Sequence, residues 1–181
     1  MGARRPDPTR LDVAALASEG ASLSGQWTAS ELPRWHTMQT PAAGAATAPV
    51  MWDVRGEQRR VGAAQPQTWL HLHVTTTAWP TCQRCLQPFS QALEIERALR
   101  FVASEAEAEA LDADSEDDVL ALAPAFDLRT LVEDELLLAW PIVPRHDQCS
   151  APQHHAGDDE GAATAAPFAA LAALKAPSRS R

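Results

Sequence analysis

The chain contains no stretch of about 18 predominantly apolar residues of the kind that spans a bilayer. The best candidate, Leu136 to Pro144, runs nine residues and is broken by proline. The N-terminal MGARRPDPTR lacks the apolar core of a secretory signal, and Pro6 breaks the myristoylation pattern. Three cysteines without a signal fit a reducing cytosol better than a disulfide framework. There is no tyrosine, one lysine against fourteen arginines, and no internal repeat. Large aliphatic residues are scarce. Leu, Val, Ile and Phe together number 34 of 181, whereas alanine alone numbers 36. That places the chain just under the level, roughly 20%, at which disorder becomes common. One modest core with substantial unstructured sequence is expected, and the six tryptophans supply much of its large apolar surface.

The formal charge of −9 is unevenly spread. Residues 105–118 hold eight acidic side chains and no basic one, and Asp158, Asp159 and Glu160 add three more. Without those eleven groups the charge becomes +2, so the body is near neutral. This excludes a strongly basic nucleic-acid coat protein but not a local basic patch, which matters more for binding than the overall isoelectric point.

Along the chain, Thr9 is expected to cap a helix reaching about Glu19, stopped by Gly20. Leu23, Gly25 and Trp27 alternate as in a strand, and Pro41 to Pro49 reads as a loop. Val50, Trp52 and Val54 alternate again, with Gly56 read as a turn. Thr68 to Trp79 gives the clearest strand signal. It sets Leu70, Leu72, Val74, Thr76 and Ala78 on one face and Trp69, His71, His73, Thr75, Thr77 and Trp79 on the other. Cys82-x-x-Cys85 follows, then a second alternating run from Leu93 to Phe101, which suggests an antiparallel hairpin with a knuckle at its tip. Ala103 to Leu111 reads as a helical turn that fades into an acidic, poorly ordered loop within 105–118, and Val119 to Leu122 as a short strand. Asp127 caps a helix over Leu128 to about Ala139, with Leu128, Leu131, Val132, Leu136 and Leu138 on its apolar side; Pro141 and Pro144 end it. The fold class expected is α+β: an antiparallel β-sheet with a Cys-x-x-Cys hairpin, flanking helices and a flexible acidic C-terminal tail. A single domain over 10–149, a linker over 150–166 and a short docking helix over 167–175 complete the outline.

Three segments stand out when taken together: CQRCLQPF over Cys82–Phe89, DLRTLVEDELLLAWPIVPRHD over Asp127–Asp147, and PFAALAALK over Pro167–Lys175. In order and wording the chain resembles the YceD family, the bacterial large ribosomal RNA subunit accumulation proteins, with a tail similar to that of the proteobacterial branch. The resemblance spans roughly Leu11 to Lys175. It implies a cytoplasmic, non-enzymatic protein needed for normal amounts of large-subunit ribosomal RNA. Its expected partner is the large-subunit ribosomal RNA precursor or an assembly intermediate, met directly or through a protein. Many members of the family carry further cysteines after the Pro-x-x-Pro segment, and Cys149 alone stands there in this chain.

The residues themselves allow several chemistries. Cys82 and Cys85 could donate two thiolates from a tight loop, and His146 and Cys149 two more ligands, giving a Cys₃His set suited to tetrahedral zinc. The alternative is a knuckle with reduced thiols, held by Leu86, Phe89 and their apolar neighbours. A thioredoxin-type redox role needs the first thiol at a helix N-terminus after a strand, whereas a strand-like run follows this motif. Arg59, Arg60, Arg84, Arg97 and Arg100, with Arg55 nearby, fall in or beside the expected sheet as candidate RNA contacts. The ordinary reading makes them solvated strand edges. Glu133, Asp134 and Glu135 are consecutive on a helix, point in three directions and so form no catalytic pair; they are expected to be solvated, one of them pairing with Arg129. No nucleophile-plus-base pattern or phosphate-cradling glycine loop is present. Phe168, Leu171 and Leu174 form a short apolar stripe that needs a docking partner, in cis or in trans. The resulting expectation is a binding factor in ribosome assembly; the alternative is a zinc-knuckle structural adaptor without RNA contact.

Overall fold

The computed structural model describes residues 6–60, 62, 65–113 and 117–150. The expected linker beyond Ser150, the acidic tail and the docking helix with Phe168, Leu171 and Leu174 lie outside the described residues. The fold is α+β. Strands β1 (Ser22–Trp27), β2 (Val50–Arg59), β3 (Gln67–Ala78), β4 (Gln91–Val102) and β5 (Asp118–Ala121) form one sheet in sequence order. Helices α1 (Val13–Ser18) and α2 (Pro33–Met38) precede the long strands; α3 (Glu105–Asp112) lies between β4 and β5, and α4 (Leu128–Leu138) follows them.

The alternation that predicts β3 decides which face is buried. Leu70, Leu72, Val74 and Ala78 join Leu23, Trp27, Val50, Trp52, Val54, Ile95, Leu99 and Phe101 on one side of the sheet. Val13 and Leu16 of α1, Trp35 of α2, and Leu128, Val132 and Leu136 of α4 close over them. Trp27 and Trp52 stack across β1 and β2 with ring centroids 4.7 Å apart. Gly25, opposite Trp52, leaves the space this needs: a Cβ there would lie 2.6 Å from the indole ring.

Four local expectations are corrected. The first helix is not continuous from Thr9. Asp7 caps a 3₁₀ turn over Pro8–Arg10, and Asp12 then starts α1 by accepting the Ala15 N–H at 2.8 Å. Gly56 is not a turn but an interior residue of β2, placed where α1 crosses closest. A Cβ there would come within 2.5 Å of the Leu16 carbonyl and the Ala17 nitrogen. The helical reading from Ala103 to Leu111 corresponds to α3 over Glu105–Asp112; Ser104 caps it, and Ala108 and the partly buried Leu111 pack against Val102 and Val119. This helix carries the chain back so that β5 runs parallel to β4, which makes the sheet mixed rather than antiparallel.

The fourth correction concerns α4. Leu138 is exposed, and Glu133 and Glu135 are buried among the apolar residues rather than solvated. Both are paired across the core. Glu135 meets the Arg97 guanidinium at 2.8 Å. Glu133 accepts the N–H groups of Arg34 at 2.7 Å and Trp35 at 3.1 Å and ion-pairs with Arg34 at 2.9 Å. Since Leu32, the residue before α2, gives no side-chain cap, a carboxylate from α4 caps that helix from outside.

Glu133→Ala strands two backbone donors in a dry environment, which should cost about 2–3 kcal/mol of unfolding free energy. Urea denaturation followed by tryptophan fluorescence measures it. A loss below about 0.5 kcal/mol would return Glu133 to an ordinary solvated position.

Candidate metal centre and basic surface

β3 and β4 pair antiparallel from Thr68↔Phe101 to Ala78↔Gln91, and residues 79–90 connect them. That connection folds onto itself. Cys82 N–H donates to Gln87 O at 2.9 Å, Leu86 N–H to Cys82 O at 2.9 Å, and Phe89 N–H to Pro80 O at 3.0 Å. Leu86 takes φ +59°, the left-handed region that tight reversals use and that a branched side chain seldom enters. The turn holds Cys82 and Cys85 side by side, with Cys82 fully buried.

The other half arrives from the chain after α4. Pro141 and Pro144 stop the helix and send an extended segment back across the loop, where Gln83 N–H donates to Pro144 O at 2.9 Å. His146 packs on the Phe89 ring with centroids 4.6 Å apart and sets Nδ1 3.3 Å from Cys85 Sγ. Cys149 Sγ lies 3.6 Å from Cys82 Sγ. Cys82, Cys85, His146 and Cys149 thus converge, with one donor atom from each within 4.8 Å of the others, close enough to share one ion.

The electrostatics suit a thiolate. Burial pushes the Cys82 thiol up. Backbone donors of Cys85, His146 and Arg84 and the Cys149 thiol more than offset this and bring it down to about 6. Cys149 moves the other way, raised by burial and then by the Cys82 and Cys85 sulfurs. No helix begins at either cysteine of the loop, so the Cys82 thiolate rests on aimed N–H groups rather than a helix dipole.

The five arginines singled out as RNA contacts do not form one surface. Arg97 faces the buried side and pairs with Glu135. Arg84 belongs to the thiol cluster, its Nη1 donating to Cys149 O at 3.2 Å. It lies at the far end of a 12-residue strand from Arg59, about 35 Å away at 3.3 Å per residue. Arg59 and Arg100 remain near one end of the outer face, joined by Arg55, and Arg60 follows directly after the end of β2. The Arg59 guanidinium lies 4.2 Å above the Trp69 ring, and Trp69 is only 3% exposed, so that indole is covered rather than offered to a base. Glu57, which the sequence reading passed over, organises this corner. It contacts His71 at 2.6 Å, Arg59 at 3.3 Å and Arg55 at 3.8 Å. Its alternation with the two arginines on β2 was the available signal.

The His71 hydrogen bond and then the Arg59 contact hold the Glu57 carboxyl below its ordinary value of 4.5. A carboxyl depressed on folding stabilises the protein above its unfolded pKa and loses that contribution as pH falls through the lower folded one. The stability gap between the wild type and Glu57→Gln should therefore be full at neutral pH and shrink progressively below pH 4.5. Urea midpoints from pH 7 to pH 3 test this, and a gap independent of pH would count against the Glu57 hub.

No helix among the described residues is long and apolar enough to cross a membrane. No solved structure matches the chain. A curated relative, the large ribosomal RNA subunit accumulation protein YceD of Haemophilus influenzae, is 39% identical over 100 residues, which cover 52% of this chain and 58% of the relative. The chain thus spans under two thirds of the length of the relative it matches. The family model described as large ribosomal RNA subunit accumulation protein YceD matches residues 70–175, from the middle of β3 through the thiol cluster and α4 into the C-terminal segment. Since that match covers more than half of the sequence, the chain belongs to the YceD family.

Proposed function

We propose that this chain supports accumulation of the large ribosomal RNA subunit, as its relative's name says of that protein, and that it does so by binding rather than catalysis. Family membership carries this reading. The outer face at the Arg55, Arg59, Arg60 and Arg100 corner is the RNA-contacting surface. With Trp69 covered by Arg59, the contact is to phosphates rather than by base stacking.

The thiol cluster holds zinc in a structural role. Tetrahedral thiolates on bonds of about 2.3 Å stand roughly 3.7 Å apart, and a thiolate–imidazole pair about 3.6 Å. The observed separations of 3.6 Å and 3.3 Å fit an ion of that size. Three sulfurs and an imidazole favour zinc over hard cations, and four protein ligands leave no open position for a substrate. The ion would tie the β3–β4 connection to the segment after α4.

A second reading, a zinc-dependent adaptor without RNA contact, is favoured by one observation. Of the five large apolar side chains exposed among the described residues, four, Leu86, Leu138, Ile142 and Val143, lie on or next to the segments that the cluster joins, and Ile142 is 99% exposed; the fifth, Met51, is on β2.

Unheated, tag-free protein should contain about one zinc per chain and melt at a lower temperature after chelation; fewer than about 0.2 per chain would end the zinc assignment. For the RNA reading, tagged protein from gently lysed cells is followed through a sucrose gradient. Co-migration with immature large-subunit particles is expected, with loss of salt-dependent RNA retention in the Arg59→Glu/Arg60→Glu variant. Protein that stays at the top of the gradient, bound to another protein and free of ribosomal RNA, would favour the adaptor.

A further inference from the structure

The outer face of the sheet carries a second group of ligand-bearing side chains, well away from the thiols. Strand register sets Asp53, His73 and Glu96 in one row across β2, β3 and β4, with Glu94 two residues along β4 on the same face. Both ring nitrogens of His73 are engaged. Nδ1 lies 3.0 Å from Asp53 Oδ2 and Nε2 3.0 Å from Glu94 Oε1. One donor atom from each of His73, Glu94 and Glu96 lies within 4.8 Å of the others.

We propose that His73, Glu94 and Glu96, with Asp53 behind the imidazole, form a divalent-cation site of nitrogen and oxygen donors on the exposed face of the sheet. Around an ion with bonds of about 2.1 Å, neighbouring donors stand roughly 3.0 Å apart and opposite ones about 4.2 Å. The His73–Glu94 distance matches the first value. Asp53 occupies the place of the carboxylate that typically orients a metal-bound histidine through its other nitrogen. It fixes the ring with Nε2 turned toward Glu94.

The charge count points the same way. Three carboxylates surround one imidazole, so even a protonated ring leaves the row two charges short of neutrality. Like charges on one face of adjacent strand positions repel, and a divalent ion removes that repulsion. The donors sit on paired strands rather than a loop, which fixes their spacing before any ion arrives. The exposed side leaves room for water ligands, as hydrated first-row divalent ions prefer. The thiol cluster and this row divide the available ions by donor softness: sulfur there, imidazole and carboxylate here.

Manganese is the probe, because it favours oxygen and nitrogen donors over thiolates. The full chain, with its thiol cluster as purified, is titrated with Mn²⁺, and the free-ion signal is read by electron paramagnetic resonance. One Mn²⁺ per chain is expected to bind. His73→Gln, and separately the Glu94→Gln/Glu96→Gln pair, should weaken it at least tenfold, and Asp53→Asn by about tenfold. Glu109→Gln, an exposed carboxylate on α3, should leave it unchanged. Far-UV circular dichroism and a thermal melt establish that each variant is folded, and the two independent ligand variants guard against a single misfolded one. Equal binding in the wild type and both ligand variants, no binding at millimolar Mn²⁺, or loss of the site in Glu109→Gln would each overturn the assignment. The test does not depend on the ribosomal reading.

Discussion

A five-stranded sheet has two faces to cover, and this chain has large aliphatic side chains for little more than one. Among the described residues, α1, α2 and α4 close over the inner face, whereas the outer face is covered where α3 meets Val102 and Val119 and where Arg59 lies over Trp69. Elsewhere that face is left to charged and imidazole side chains, stabilised by cross-strand pairs instead of burial. The candidate RNA corner and the carboxylate–imidazole row are both products of this shortage. Tryptophan partly compensates on the inner side, where Trp27, Trp35 and Trp52 fill volume that aliphatic residues would occupy in a richer sequence.

The buried acids of α4 do not come from that shortage. The helix carries five leucines in eleven residues, yet it places Glu133 and Glu135 at its contact with α2 and the sheet, and each meets an arginine. Those partners are 99 and 38 residues away, so no helical periodicity announces them. The sequence suggests a solvated face because adjacent residues on a helix diverge. Glu133 and Asp134 instead reach one guanidinium, that of Arg34, with Asp134 in the more exposed position.

Much of the fold was legible. Alternation located β1, β3 and β4, and Asp127 with the two prolines bounded α4. Spacing alone also singled out all four members of the thiol cluster, because cysteine is rare here and each pair has a two-residue gap. What was not legible depends on contacts distant in sequence. Gly56 reads as a turn until α1 is seen resting on it. Helix α2 has only Leu32 and Trp35 to mark its buried side. The parallel β5 is four residues long, and nothing in four residues encodes direction. Among the arginines, composition could find the set but not the face each one takes, which separated Arg84 and Arg97 from the others.

The thiol cluster joins residues 61 to 67 positions apart, and this orders events during synthesis. Cys82 and Cys85 leave the ribosome as a two-ligand half-site, together with the strands that flank them. His146 and Cys149 follow only after β4, β5 and α4 have been made, about 3–12 s later at ordinary elongation rates. The four side chains can therefore meet only after β4, β5 and α4 have been made, so this cluster cannot be the contact that first brings β3 and β4 together during synthesis.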